Sequence, residues 1–313
     1  MKYFDLHCDT PYEIFRKQSK LDKNCHHVSL ERADASFERY SQLAAYCAPP
    51  RVDDDTCYEK YLQVVSYFLN EAQRLSSRCS VCKSFSDLEA AEKEGKVAFF
   101  PTVEDARILA GKLDRLDVLY KNHCRFLTLV WGGNSCIGGA HDTGEGLTDF
   151  GRQTVRRCFE LGIVPDVSHS SEQTVDDLIE LAEAAKKPFI ASHSNSYQVF
   201  SHSRNLRDRH FEKIRALGGI VGISLCDIHI QPPEAGKVTV DGVVRHIEHY
   251  MELGGERVVA LGCDLDGCDL PDGFGGISDT HKIFDRLACL GYSDGLIENI
   301  SYNNAREFIK RNL

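Results

Sequence analysis

The chain has no basic excess: 37 Lys and Arg stand against 47 Asp and Glu, a formal charge of −10 at pH 7. A surface of that sign does not grip a phosphate backbone, which excludes nucleic acid as a general partner. No apolar run approaches the roughly 18 residues of a membrane-spanning helix, so no membrane association is expected. The opening Met1-Lys2-Tyr3-Phe4-Asp5-Leu6-His7 contains no apolar stretch of secretory-signal length. A disulfide framework is missing as well, because the 13 cysteines are odd in number and follow no regular spacing. Free thiols in a reducing compartment follow, and a cytoplasmic location is expected. No repeat, low-complexity tract or long Pro/Ser linker divides the chain. At 42% hydrophobic and 27% charged, its 313 residues can bury a sizeable core, expected as one domain over 1–313.

What is present is a rhythm of short apolar runs. Eight have strand length: 3–7, 41–46, 97–101, 126–131, 163–167, 188–192, 219–225 and 258–263. Their near-continuous hydrophobicity suits parallel strands buried on both faces. Helical spacing fills the intervals at 58–75, 105–120, 149–161, 172–185 and 240–253. Thr148 and Ser171 precede two of these as N-caps, and Gly95, Gly162, Gly218 and Gly254 follow helical runs where a left-handed C-cap is needed. Eight strand–helix units predict an α/β protein of the (β/α)8 TIM-like barrel type, with a doubly wound open sheet as the alternative. The acidic stretch Asp53-Asp54-Asp55 is expected to be a solvated loop.

Barrel enzymes carry their reactive groups at the carboxyl ends of the strands. Here the first run ends in His7-Cys8-Asp9, the third leads to Glu104, the fifth to His169, the sixth to His193 and the eighth to Asp264. The two-residue spacing of His7 and Asp9 aims both side chains to one face of an extended segment. Imidazoles and carboxylates suit Zn²⁺ and related metals. Each signal alone has a plain structural explanation, but their convergence on one rim predicts a metal site. Five ligands exceed the need of one tetrahedral zinc, so a two-metal centre with Glu104 bridging is expected.

These residues carry a resemblance. Asp5-Leu6-His7-Cys8-Asp9, Val103-Glu104, Gly146-Leu147-Thr148-Asp149-Phe150-Gly151, Asp166-Val167-Ser168-His169, Ser192-His193-Ser194, Arg204-Asn205-Leu206, Gly262-Cys263-Asp264-Leu265-Asp266-Gly267 and Asn303-Asn304-Ala305 run in order across the chain. In this they resemble the membrane dipeptidase (renal dipeptidase) family of zinc metallopeptidases, relatives of the amidohydrolases. The resemblance implies a dipeptidase acting on short peptides with a free C-terminal carboxylate, through a hydroxide shared by two Zn²⁺ ions. His7, Asp9, Glu104, His169 and His193 would be metal ligands, Asp264 the proton-handling residue and Arg204 the holder of the substrate carboxylate. A homodimer is the family default. The same ligand set accepts Mn²⁺ or Co²⁺.

Two positions depart from the family pattern. Thr128-Leu129-Val130-Trp131 ends in an indole where the family usually has a histidine, which places Trp131 at the substrate pocket. Asp105-Ala106-Arg107 replaces the usual Gly-Gly-His after the bridging glutamate. Alternatives to a dipeptidase are an amidohydrolase-like enzyme on another small amide or lactam, and a metal-binding relative without turnover. Cys79-Ser80-Val81-Cys82 has no second Cys-x-x-Cys partner, lies in an expected helix-to-loop region and is read as incidental. Cys8 and Cys263 are read as packing residues, His246 and His249 as a solvated pair on an outer helix, and His202 as a possible neighbour of the substrate. Gly132-Gly133 and Gly138-Gly139 lack the dinucleotide fingerprint and are assigned to a flexible loop over the pocket mouth.

Overall fold

The computed structural model describes residues 1–313. Eight strands form one parallel sheet: β1 (Lys2–Cys8), β2 (Arg39–Cys47), β3 (Cys79–Val81), β4 (Val97–Glu104), β5 (Phe126–Thr128), β6 (Val164–Asp166), β7 (Val221–Ile223) and β8 (Val259–Leu261). The order is β6-β5-β4-β2-β1-β8-β7, with β3 beside the first half of β4 and β5 beside its second half. Bridges Asp166↔Ile190 and Ala191↔Val221 join β6 to β7 and close the ring. The eight staves are therefore six of the predicted runs near their expected positions, a lengthened β2, and the 188–192 segment. This last segment is too irregular to be a strand and makes only bridges. The added β3 is three residues long and half polar, too short for periodicity to reveal.

Alternation along the staves separates two apolar clusters. Phe4, Leu6, Leu43, Ala98, Phe100, Phe126, Val164, Ile190, Ile220 and Ala260 come from nearly every stave and share one cluster with Tyr302, Phe308 and Ile309, which places that cluster inside the barrel. Phe4 stacks on Phe100 at 6.0 Å, and Phe126 meets Phe308 of the terminal helix Asn304–Asn312 at 6.3 Å. That helix closes the amino end of the ring. The larger cluster lies between sheet and outer helices and includes Tyr3, Cys8, Val103, Leu127 and Cys263. Cys8 and Cys263 are thus packing residues.

Local chemistry sets the helix ends. Thr148 Oγ1 accepts from Gly151 N at 2.9 Å and Ser171 Oγ from Thr174 N at 3.0 Å, so both helices start where expected. The four predicted C-cap glycines have φ between +65° and +80°. Elsewhere the expectations need correction. The predicted helix over 105–120 is a short 3-10 turn, Ala106–Leu109, followed by a helix at Arg115–Lys121, because Asp105 and Ala110 take left-handed backbone. The stretch Asp53–Asp55 is solvated as expected but opens a helix rather than forming a loop: Asp53 caps the helix Asp54–Arg74, while Asp54 pairs with Arg107 and Asp55 with Lys112 and Arg115. Cys79 and Cys82 are buried at β3 rather than in a helix-to-loop region. His246 is fully buried, donating from Nε2 to Ile230 O and accepting from Ser196 N, because its side of the Val240–Glu252 helix faces inward; His249 pairs with Asp208. All 13 cysteines are unpaired, and no helix is long and apolar enough to cross a membrane.

Candidate metal centre

At the carboxyl end of the ring the interior turns polar. On β4 the inward parity runs unbroken from Ala98 and Phe100 to Thr102 and Glu104, so a buried carboxylate stands two pleats above the aromatic plug. On β1 the register against β2 slips by one residue between Asp5 and Cys8. This bulge lets Leu6 and His7, adjacent in sequence, both face inward, and it returns Cys8 to the outer core. Asp9 follows as the N-cap position of the Thr10–Arg16 helix. His7 and Asp9 do reach one face, but through a bulge and a helix start rather than through regular alternation.

His169 and Asp264 sit just beyond β6 and β8 in left-handed backbone, φ +70° and +59°. For non-glycine residues this conformation is uncommon and marks positions held by their surroundings. Part of the hold comes from two buried aspartates below. Asp166 Oδ1 accepts from Ser168 N and Ser192 N, both at 2.9 Å, while Oδ2 accepts from Thr128 Oγ1 and Ser192 Oγ. Asp5 Oδ1 accepts from His7 N at 2.9 Å and Cys263 N at 3.1 Å, tying β1 to β8. Both carry site residues on neighbouring staves. Their roles went unread in the sequence, although an acid inside an apolar run, flanked by site residues, is the signal.

All five predicted ligands and Asp264 converge. His7 Nε2 lies 3.6 Å from Glu104 Oε1, 3.7 Å from Asp9 Oδ1 and 3.8 Å from Asp264 Oδ1. Glu104 Oε1 is 3.0 Å from His169 Nε2 and 3.2 Å from His193 Nε2, and these two nitrogens are 3.0 Å apart. The rings' other nitrogens fix the tautomers. His169 Nδ1–H donates to the Trp131 carbonyl at 3.1 Å, and His193 Nδ1–H to Ser192 Oγ at 2.7 Å, whose own proton goes to Asp166. Burial, then Arg204, pushes His169 down to about 4. Burial, then His7 and Arg204, holds His193 well below its usual range. Both rings are neutral, so each turns an Nε2 lone pair toward a carboxylate oxygen.

Against the burial that would lower it, Glu104 and Asp9 hold His7 well above the ordinary imidazole range, the response of a carboxylate cluster short of positive charge. Glu104 Oε1, His7 Nε2 and Asp9 Oδ1 are buried without hydrogen-bond partners. Such groups are costly unless a cation fills the space, so these residues fit a metal. Burial, then Glu104, raises Asp9 to about 8, and burial raises Asp264 as well. A Cβ on Gly267 would come within 2.4 Å of Asp264 Oδ1 and 2.6 Å of Asp9 Oδ2, so only glycine lets that turn approach both carboxylates.

The centre opens into a cavity of about 500 Å³ lined by Asp9, Glu104, Trp131, His169, Arg204 and Asp264. Arg204 is 5% exposed, donates to Ser194 Oγ at 3.3 Å, and has a buried Nε with no partner. No carboxylate neutralises it by direct contact. Trp131 is half-buried and stacks against His169 with ring centres 5.8 Å apart. Its loop is not loose, since bridges Asn134↔Gly139, Gly138↔Leu147 and Ala140↔Ser170 brace it. His141, Cys226, His229 and Cys268 also line the cavity from loops that periodicity could not place. His202 stands behind, accepting from Arg204 N through Nδ1. The Asp105 turn is locked by Arg107, which donates to Asp105, Asp54 and the Val52 carbonyl.

Comparisons with known proteins agree with this geometry. An uncharacterized protein from the pqqA 5′ region of Klebsiella pneumoniae is 28% identical over 245 residues, 75% of this chain and 89% of the relative. An uncharacterized dipeptidase of Schizosaccharomyces pombe is 30% identical over 229 residues, 67% of this chain, which spans only 53% of that relative's length. The crystal structure of a metallo peptidase from Rhodobacter sphaeroides, liganded with a phosphinate mimic of the dipeptide L-Ala-D-Ala, superposes with a TM-score of 0.92 at 24% identity, covering 100% of this chain and 99% of that one. The family profile described as membrane dipeptidase (Peptidase family M19) matches residues 1–311, and the chain belongs to that family.

Proposed function

We propose that the chain is a zinc-dependent dipeptidase that cleaves the peptide bond of dipeptides bearing a free C-terminal carboxylate. The observation that carries this reading is the meeting, at one cavity, of a crowded cluster of imidazole and carboxylate atoms, three of them without hydrogen-bond partners, with a buried guanidinium that lacks a carboxylate partner. His7 and Asp9 would hold one Zn²⁺, His169 and His193 a second, with Glu104 between them. Bound there, the ions supply Lewis acidity and a water acidic enough to attack a carbonyl near neutral pH.

The protein's own groups do the rest. Arg204 binds the substrate carboxylate through its planar fork, which favours short substrates over long chains. Asp264, raised by burial, takes the proton of the attacking water and returns it to the leaving amine. Asp5 and Asp166 keep His7, His169 and His193 aimed while this happens. Trp131 narrows the cavity beside His169, and its indole N–H is a donor of different reach from an imidazole. That indole is the one feature favouring a second reading, hydrolysis of another small amide or lactam. The free thiols fit a reducing compartment.

The test is a panel of dipeptides, N-acyl amino acids and β-lactams offered to zinc-loaded enzyme. Turnover of dipeptides above the other two classes is expected. No dipeptide turnover by protein shown to hold its metal would overturn the proposal.

A further inference from the structure

Beside the histidine centre stands a second group of ligand atoms, two of them thiols that the mechanism does not use and the third the carboxylate of Asp264. Cys226 follows β7, and Cys268 lies four residues past Asp264 on the loop after β8. The two Sγ atoms and a carboxylate oxygen of Asp264 all lie within 4.8 Å of one another. Cys226 is 6% exposed, Cys268 is half-buried, and all three residues line the cavity. The spacing is held by the backbone. Leu225 N donates to Cys263 O at 3.3 Å and Asp227 N to Asp269 O at 3.2 Å, joining the two loops on either side of the thiols. Cys268 Sγ donates to the Asp264 carbonyl at 3.3 Å, which anchors it on the same turn.

A tetrahedral ion with metal–sulfur bonds of about 2.3 Å and metal–oxygen bonds of about 2.0 Å separates its ligand atoms by roughly 3.5–3.8 Å. The cluster meets that spacing with little movement. Its chemistry differs from that of the first centre, because two thiolates favour soft cations while imidazoles and carboxylates do not.

We propose that Cys226, Cys268 and Asp264 form a separate site for a thiophilic divalent cation. On binding, the two S–H groups release their protons to solvent, two metal–sulfur bonds form, and the Asp264 carboxylate becomes the third ligand. A fourth position faces the cavity. Filling the site takes Asp264 away from proton transfer, so excess soft metal inhibits. The inhibition rests on the dipeptidase reading above, whereas the binding does not.

Cadmium is the probe, titrated under reductant into protein whose histidine centre already holds zinc. About one Cd²⁺ per chain should bind with an ultraviolet thiolate-to-cadmium charge-transfer band, which imidazole and carboxylate ligands cannot produce. Dipeptide turnover should fall in step. Cys226→Ser and Cys268→Ser, on different loops, should each remove the band of that equivalent, and Asp264→Asn should keep the band with roughly tenfold or greater loss of affinity. Circular dichroism checks that each variant is folded. Absence of the band in the natural sequence, or its survival in both cysteine variants, overturns the site. The band with undiminished turnover overturns the inhibition. A zinc-loaded protein that shows the band but cleaves no dipeptide leaves the site standing and overturns the dipeptidase reading instead.

Discussion

The two ends of one barrel are built from the same staves to opposite specifications. Toward the amino end, Phe4, Phe100, Phe126 and Phe308 fill the ring and leave no polar atom in need of a partner. Toward the carboxyl end, His7, Glu104, His169 and His193 crowd imidazole nitrogens against a carboxylate and leave buried polar atoms without hydrogen-bond partners. On β4 only three residues lie between Phe100 and Glu104. The difference teaches that stability and reactivity are segregated along the barrel axis: the apolar end offsets the cost of holding mismatched polar groups at the other.

That segregation makes predictions of opposite kind for the two ends. Asp264→Asn, at the polar end, should lower kcat by about 10²–10⁴-fold with little change in unfolding free energy; a comparable loss of stability would mean that the ends are not separable. Phe100→Ala, at the apolar end, should cost roughly 3–5 kcal/mol in urea unfolding while the surviving folded protein keeps its kcat. Equal loss of both would break the comparison from the other side.

His246 tests the outer shell behind the polar end. Its neutral ring accepts from Ser196 N and donates to Ile230 O, and burial pushes it down to about 4 from an ordinary 6.5. The unfolded chain takes up the proton first. Its stabilising contribution is therefore complete above pH ~6.5 and is lost as pH falls toward ~4, by roughly 2–3 kcal/mol at pH ~4.5. Unfolding measured at neutral and acid pH should show a gap between the two that shrinks by that amount in His246→Gln. The smallest effect is expected at Thr148. Thr148→Ala removes the cap on the Gly151 amide and should cost about 1 kcal/mol, with activity changed less than about twofold.

Legibility in the sequence followed the same axis. Glu104 could be read because inward parity is unbroken along β4, and His169, His193 and Asp264 because each follows an apolar run. His7 and Asp9 do come together, but through a bulge and a helix start rather than through the alternation that their spacing suggests. The stave at 188–192 was legible as an apolar run but not as bridges alone, and β3 was too short to register. The roles of Asp5 and Asp166 depend on which backbone amides lie across from them, and no spacing along the chain records that. His141, Cys226, His229 and Cys268 stand on loops whose course is set by tertiary contacts.

Asp166 joins the two concerns in a single side chain. Its carboxylate reinforces the backbone bridges where the ring closes, and through Ser192 it also sets the tautomer of His193. A change at this one side chain therefore reaches both the seam and the presentation of His193. Losing this carboxylate would leave the backbone bridges of the seam to stand alone and loosen His193 in the same step.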